Sequence, residues 1–188
     1  MSIGKIIVIV APSGTGKSTL IKKVKAEFSE IVESVSYTTR GIREGEENGV
    51  AYNFIDEKTF IEMKDQDEFI EWAKVHSNYY GTSKSFVESE LASGKNLLFD
   101  LDVQGADSFK AYFGDKAQII FIAPPSIPEL EKRLRGRGTD STGVINLRLE
   151  NAKREVLRKD DYDFCVKNEE LEVAFKDLKD TITNILNS

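Results

Sequence analysis

Apolar positions along the chain fall into two alternating patterns, short unbroken runs and stretches with helical spacing. Residues 5–10 (KIIVIV) are apolar on both faces and rich in β-branched side chains, which predicts a buried parallel strand. Residues 18–28 carry apolar side chains at the spacing of one helix face. The alternation continues with predicted strands at 96–100, 118–123 and 163–168 and predicted helices near 103–113, 128–135, 145–160 and 171–186. It predicts an α/β fold with a mainly parallel sheet and helices on both faces.

Two segments interrupt this alternation. Residues 36–82 contain short aromatic runs around one helical stretch and predict a small antiparallel insertion. Residues 136–143 (GRGTDSTG) carry no large apolar side chain and predict a mobile loop. Both segments contain arginines, and loops outside a core are where function concentrates. We expect a single domain over 1–188 whose core comprises 1–35, 83–135 and 145–188.

The composition narrows the class of protein. The 188 residues are 40% hydrophobic and 31% charged, as in ordinary soluble globular domains. The net charge of −6 argues against a general nucleic-acid-binding surface. No apolar run approaches the roughly 20 residues needed to cross a bilayer, and we expect a cytoplasmic protein. The single cysteine, Cys165, excludes an internal disulfide framework, and its neighbours predict a buried strand position rather than a catalytic thiol.

The segment APSGTGKST (11–19) lies between the first predicted strand and the first predicted helix, which is the setting of a phosphate-binding P-loop. Its glycines let backbone N–H groups approach phosphate oxygens, and the following helix adds partial positive charge at its start. Ala11 stands where the strict pattern has glycine, and a small residue still leaves room. We expect Lys17 to reach the terminal phosphates of a nucleoside triphosphate and Ser18 to ligate Mg²⁺. The expected triphosphate contacts are Ser13, Gly14, Thr15, Gly16, Lys17, Ser18 and Thr19. The alternative is a glycine-rich turn without a ligand.

Further motifs follow the P-loop in a fixed order: SYTTRGIREGEENGVAYNF, EFIEWAKVHSNYYGTS, FDLDVQG, IFIAPPS and RLRGRGT. Together they resemble the guanylate kinase family, and the match runs from the P-loop to about residue 170. The resemblance implies a P-loop NTPase-type parallel sheet, a GMP-binding subdomain at 36–82 and a mobile lid at 136–144. It implies Mg²⁺-dependent transfer of the γ-phosphoryl group of ATP to GMP and dGMP. The implied partners are ATP and GMP, with no nucleic acid, membrane or obligate protein partner.

The same resemblance assigns residues to GMP. The implied phosphate ligands are Arg40, Arg43, Tyr52 and Tyr80, and the implied base contacts are Ser36, Glu71 and Thr82, with Asp102 also on the GMP side. Guanidinium groups suit phosphate because their planar forks match its oxygens. A carboxylate suits guanine because it accepts both the N1–H and the 2-amino group, whereas adenine would leave it unpaired.

The remaining motifs concern the metal, the lid and adenine. Asp100 resembles the carboxylate that organises Mg²⁺ together with Ser18, and it ends a predicted strand, where ligands of open α/β sheets bind. Arg133, Arg137 and Arg148 match lid positions of the family, and Arg133 and Arg137 would contact ATP. Asn168 resembles a residue near adenine. The implied catalytic residues are Lys17, Arg43, Asp100, Arg137 and Arg148. The only histidine, His76, has no implied role, and we expect it to be structural or peripheral.

Simpler explanations exist for several of these residues. Arg40 and Arg43 could belong to a solvated loop, Glu71 could face outward from a strand, and Asp102 could cap a helix. At the level of the whole protein, the alternatives are a guanylate kinase-like interaction module without catalysis and a kinase for another small phosphate ester. The interaction module is disfavoured because the P-loop lysine and the phosphate-binding arginines are present.

Overall fold

The computed structural model describes residues 4–50, 52–75, 77–136 and 141–188. Its strands are β1 (Ile6–Val10), β2 (Ile31–Glu33), β3 (Tyr37–Thr38), β4 (Asn53–Phe54), β5 (Phe69–Val75), β6 (Asn78–Ser83), β7 (Asn96–Leu101), β8 (Ala117–Ala123) and β9 (Phe164–Lys167). Its helices are α1 (Lys17–Glu27), α2 (Glu57–Asp65), α3 (Lys84–Ala92), α4 (Val103–Phe113), α5 (Ile127–Gly136), α6 (Thr142–Val156) and α7 (Leu171–Asn187). Short 3₁₀ helices cover Gly114–Lys116 and Lys159–Asp161.

The main sheet contains five strands in the order β2-β7-β1-β8-β9, and all four pairings are parallel. All five residues of the central strand β1 are buried, because successive side chains point to opposite faces and both faces are covered. On one face Ile7 and Ile9 pack in a cluster with residues of α1 and α7. On the other, Ile6 and Val8 pack with residues of α3 and α4. The predicted α/β fold is confirmed.

The insertion forms a second sheet of four strands in the order β4-β3-β6-β5. The β3–β6 and β5–β6 pairs are antiparallel, as predicted, whereas β3 and β4 run parallel, so the small sheet is mixed. Phe60 of α2 is fully buried and stacks on Phe69 and Tyr79, with ring centroids 4.5 Å and 5.2 Å apart. The insertion therefore has its own aromatic core.

Three local expectations need correction. The predicted loop at 136–143 is partly helical: Gly136 ends α5, and α6 begins at Thr142 because Ser141 caps it by accepting a hydrogen bond from the Val144 N–H. Cys165 is exposed rather than buried, because β9 is an edge strand whose buried position is Val166. Strand β2 and helix α3 were not predicted. Among the helices in the described ranges, none is long and apolar enough to cross a membrane.

Candidate functional site

The loop between β1 and α1 is held in a conformation that depends on glycine. Gly14 and Gly16 have φ angles of 89° and 97°, which side chains with a Cβ rarely adopt. Thr15 is buried between them, and its N–H and hydroxyl both donate to the Pro12 carbonyl, at 3.2 Å and 2.7 Å. The first N–H groups of α1 have no carbonyl partner within the helix, so they are suited to bind phosphate oxygens.

Asn168 supports this loop from the far end of the chain. Its buried side-chain amide donates to the main-chain carbonyl of Thr15 at 2.7 Å, and its main-chain carbonyl accepts a hydrogen bond from the Arg133 guanidinium at 3.0 Å. A cavity of about 550 Å³ lies beside these groups and is lined by Gly14, Gly16, Thr19, Arg133 and Asn168, among others. The structure thus brings together the loop and the two residues predicted to lie near ATP.

Replacing Gly16 with alanine is expected to lower the free energy of unfolding by about 1–3 kcal/mol, because a non-glycine residue is strained at this φ angle. The added Cβ would also lie 2.6 Å from Nδ2 of Asn168 and displace its hydrogen bond to the loop. The matched control is Gly143→Ala, since Gly143 has open space around its Cβ position and lies in α6. Urea denaturation of both variants measures the difference, and equal midpoints would contradict the expected strain.

Lys17 extends from the loop to the neighbouring strand β7. Its Nζ lies 2.5 Å from Oδ1 of Asp100 and donates to the Leu101 carbonyl at 2.7 Å. The parallel register aligns Asp100 with Ile9, so the carboxylate lies next to the end of the strand from which the loop departs. Lys17 and Asp100, which were each predicted to be catalytic, therefore meet at the carboxyl edge of the sheet, where ligands of open α/β folds bind.

The residues predicted to hold Mg²⁺ suit that ion. Asp100 offers a carboxylate whose side chain is 40% exposed, and Ser18 offers a hydroxyl in the first turn of α1. Mg²⁺ prefers such oxygen ligands and is usually held by one or two carboxylates, retained waters and the substrate phosphates. The donor set therefore fits magnesium, provided that a triphosphate contributes the other oxygens.

The insertion gathers cationic and hydroxyl groups across the cleft from the P-loop. The Arg40 guanidinium lies 5.4 Å from the centroid of the Tyr52 ring, and the Tyr52 and Tyr80 rings are 5.9 Å apart. Tyr52 also lines a cavity of about 370 Å³ together with Ser36 of the insertion and Asp100 of the main sheet. The main chain of Arg43 is held by Glu46, and its side chain is exposed on the same loop. Of these residues, Arg40, Arg43, Tyr52 and Tyr80 are the ones predicted to bind the phosphate of GMP.

Glu71 and Thr82 form a pair on adjacent strands of the insertion. They are directly opposite in the register of β5 and β6, and the Thr82 hydroxyl donates to Oε1 of Glu71 at 2.6 Å. Burial raises the pKa of the Glu71 carboxyl, the hydrogen bond from Thr82 opposes that rise, and the charge of Asp102 adds to it. Asp102 itself caps α4 by accepting the Gly105 N–H at 2.8 Å, so the helix-capping explanation holds for Asp102 while its charge still acts on Glu71.

The arginines near the predicted lid fall in different places. Helix α6 packs on α5, and its Arg148 donates to the Ser13 hydroxyl at 3.1 Å, which brings a cation to the P-loop. Arg135, to which no role was assigned, instead pairs with Glu131 one helical turn away. Arg137, which was predicted to bind ATP and to be catalytic, lies outside the described residues, as does His76.

Sequence reasoning missed two carboxylates near these groups. Glu46 binds Arg40 and the main chain of Arg43, and its position in the same glycine-flanked loop was a signal that could have identified it. Glu155 is half-buried near the end of α6. Burial raises its pKa, the charge of Asp102 raises it further, and Lys17 opposes the shift. Nothing in the charged sequence of α6 distinguishes this glutamate from its neighbours.

A larger cavity, of about 1130 Å³, lies at the amino ends of β1 and β8. Its lining includes Lys5, Tyr112 and Gln118, and it contains none of the predicted site residues. The carboxyl edge of the sheet, rather than this cavity, is where the candidate chemistry gathers.

Comparisons with known proteins agree with this geometry. A family profile described as "Guanylate kinase" matches residues 3–185. The chain is 47% identical over 176 residues to the guanylate kinase of Oleidesulfovibrio alaskensis and 48% identical over 176 residues to that of Sulfurimonas denitrificans. Each alignment covers 94% of this chain and 85% of the relative. The crystal structure of guanylate kinase from Anaplasma phagocytophilum matches with a TM-score of 0.68 at 33% identity, over 100% of this chain and 86% of that one.

Proposed function

The chain belongs to the guanylate kinase family, and from that premise we propose which of its residues carry out the transfer from ATP to GMP. It is an ATP:GMP phosphotransferase, which converts ATP and GMP to ADP and GDP. The assignment of roles rests on two contacts. Lys17 of the P-loop forms an ion pair with Asp100 at one side of the cleft, and Glu71 is hydrogen-bonded to Thr82 on the insertion. Neither the interaction-module alternative nor a different phosphate ester is favoured by any contact in the described residues.

ATP is proposed to bind along the P-loop and the carboxyl edge of the sheet. Backbone amides of the loop and of the first turn of α1 would hold the β- and γ-phosphates, except those of Thr15 and Thr19, which donate to Pro12 and Gly16. Lys17 would reach the γ-phosphate from its position beside Asp100. Arg133 and Asn168 would face the nucleoside, because both line the cavity next to Gly14 and Gly16. Ser18 and Asp100 would hold Mg²⁺, which when bound neutralises charge on the phosphate oxygens.

GMP is proposed to bind on the insertion. Its phosphate would be held by Arg40, Arg43, Tyr52 and Tyr80. The Arg40 guanidinium lies beside the Tyr52 ring, the Tyr52 ring lies beside that of Tyr80, and the main chain of Arg43 is held in the same loop as Arg40. Glu71, with Thr82 and Ser36, would read guanine. Asp102 would act on this side through its charge, which already raises the pKa of Glu71. We extend the proposal to dGMP, because none of these contacts addresses a 2′-hydroxyl.

The transfer itself needs little covalent chemistry from the protein. A phosphate oxygen of GMP attacks the γ-phosphorus of ATP in line, the bond to the β–γ bridging oxygen breaks, and no enzyme intermediate forms. Lys17 and Arg43 would stabilise the charge that spreads over the transferring oxygens, together with Arg137 and with Arg148, whose guanidinium already contacts Ser13. Closure of the lid segment would exclude water and so prevent hydrolysis of ATP.

A coupled ADP-release assay with ATP and each of GMP, AMP, UMP and CMP tests the proposal. We expect rapid turnover with GMP and little with the others, because only guanine offers two adjacent donors to the Glu71 carboxylate. Comparable turnover with AMP would contradict the assignment of Glu71. We also propose that the enzyme works in the cytoplasm, where both nucleotides are available and where the unpaired Cys165 suits a reducing environment.

The raised pKa of Glu71 predicts a pH effect on recognition of the base. Only the ionised carboxylate accepts both guanine donors, and burial raises its pKa above the ordinary value of 4.5. Guanosine affinity should therefore weaken as the pH falls, starting at a higher pH than an ordinary glutamate would produce. Guanosine is the suitable probe because it lacks the phosphate, whose own pKa is near 6. Calorimetric titration measures the affinity, and the Glu71→Gln variant serves as the control. Parallel pH profiles in the two proteins would contradict the prediction.

A further inference from the structure

Glu46 is a carboxylate in the loop that carries Arg40 and Arg43. Its Oε1 accepts a hydrogen bond from Nη2 of Arg40 at 2.8 Å, and its Oε2 accepts one from Nη1 at 3.0 Å. The second oxygen also accepts the main-chain N–H of Arg43 at 2.9 Å. One carboxylate therefore connects the side chain of the first arginine to the main chain of the second.

This contact differs from an ordinary surface ion pair. Exposed ion pairs contribute little to stability, because solvent screens their charges and two long side chains lose conformational freedom when they pair. Here the Arg40 and Glu46 side chains are only 12% and 22% exposed, and the guanidinium lies 5.4 Å from the ring centroids of both Tyr52 and Phe54. The hydrogen bond between the two side chains raises the pKa of Arg40 and lowers that of Glu46, so both remain charged at neutral pH.

The geometry leaves one edge of the guanidinium plane to other partners. Arginine has five N–H donors, of which Glu46 engages one on Nη1 and one on Nη2, while the Gly41 carbonyl accepts another from Nη1 at 2.9 Å. The Nε–H and the second N–H of Nη2 form the other edge, which neither Glu46 nor Gly41 uses. Two parallel donors on such an edge match two oxygens of a phosphate group.

Resting on the proposed GMP site, we propose that Glu46 is a positioning residue for recognition of the GMP phosphate. It holds Arg40 by one edge of the guanidinium so that the other edge receives the phosphate, and it fixes Arg43 within the same turn. The opposite role, in which Glu46 competes with the phosphate for Arg40, is disfavoured because the bond to the Arg43 main chain does not involve the guanidinium.

The test compares Glu46→Gln with Glu47→Gln, an identical change at the next residue, whose side chain is exposed. Glutamine has one acceptor oxygen and no charge, so it cannot hold both nitrogens of Arg40. We expect Glu46→Gln to raise KM for GMP by about ten- to a hundredfold, since a misplaced binding group is that costly. The KM for ATP and the affinity for guanosine, which lacks the phosphate, should stay unchanged. Glu47→Gln should resemble the parent in all three.

A double-mutant cycle with Arg40→Ala separates the possible outcomes. If Glu46 acts through Arg40, the Glu46→Gln change should raise KM for GMP much less when Arg40 is already alanine. A rise in KM with Arg40→Ala but not with Glu46→Gln would overturn the role of Glu46 and leave the proposed GMP site intact. No effect of Arg40→Ala would show that the phosphate assignment itself is wrong. A lower KM with Glu46→Gln would establish competition instead, and joint loss of ATP and guanosine binding would establish a purely structural role.

Discussion

Replacing Lys17 with alanine is expected to reduce kcat/KM by about a thousandfold, the scale of losing one preorganised group that stabilises transition-state charge. Lys17 carries its ammonium group to the carboxyl edge of the sheet, 2.5 Å from Oδ1 of Asp100. Among the described residues it is Lys17 that forms the ion pair with Asp100, so alanine removes this cation from the proposed transfer site. Steady-state kinetics with saturating GMP measures the loss.

The control for this experiment lies on the same helix. Lys22 is exposed on α1, and Lys22→Ala changes the net charge by the same amount without touching the cleft. Its turnover should match that of the parent. The fold should survive the Lys17→Ala change, because the Asp100 side chain is 40% exposed and can be solvated. Near-normal turnover by a folded Lys17→Ala protein would refute the placement of ATP on the P-loop.

Replacing Glu71 with glutamine is expected to lower kcat/KM for GMP by about a hundredfold or more, while ATP affinity is retained. The Glu71 carboxylate accepts the Thr82 hydroxyl at Oε1, and that hydrogen bond does not use its second oxygen. Glutamine would place an amide donor where guanine also presents a donor, so at least one hydrogen bond would be lost and two donors would oppose each other. The ratio of kcat/KM for GMP to kcat/KM for AMP should fall as well.

Glu62→Gln is the matched control, because Glu62 is an exposed glutamate on α2 of the same insertion. Kinetic constants for both nucleotides, measured side by side in the three proteins, check the expectation. If Glu71→Gln and the parent used GMP equally well, Glu71 would have no part in reading the base.

Much of the site could be predicted because its signals are local. The glycine spacing in residues 11–18 and the unbroken apolar run before it specify a strand, a phosphate loop and a helix within one short segment. Strand β7 and helix α4 were predicted almost to the residue for the same reason. Glu71 and Thr82 were expected at the base site through the family resemblance, and their hydrogen bond across β5 and β6 was not predicted.

Other features depend on residues that are distant in the chain. The strands β3 and β4 have two residues each, and their parallel pairing depends on how the intervening loop returns rather than on any pattern within them. Cys165 lies in an apolar run that reads as buried, but the strand order puts β9 at the edge of the sheet, where that position meets solvent. Asn168 supports Thr15 across 153 positions of sequence.

By itself the sequence determined the kinds of elements, their order and the residue types available for binding phosphate and guanine, because propensity, periodicity and glycine spacing act over a few residues. The tertiary structure alone decided which side chains meet. Lys17 reaches Asp100 because the register of β1 and β7 aligns their carboxyl ends, and Asn168 supports Thr15 because the chain returns to the P-loop after β9. Such contacts arise from packing and hydrogen bonding between separated segments, which no local pattern encodes.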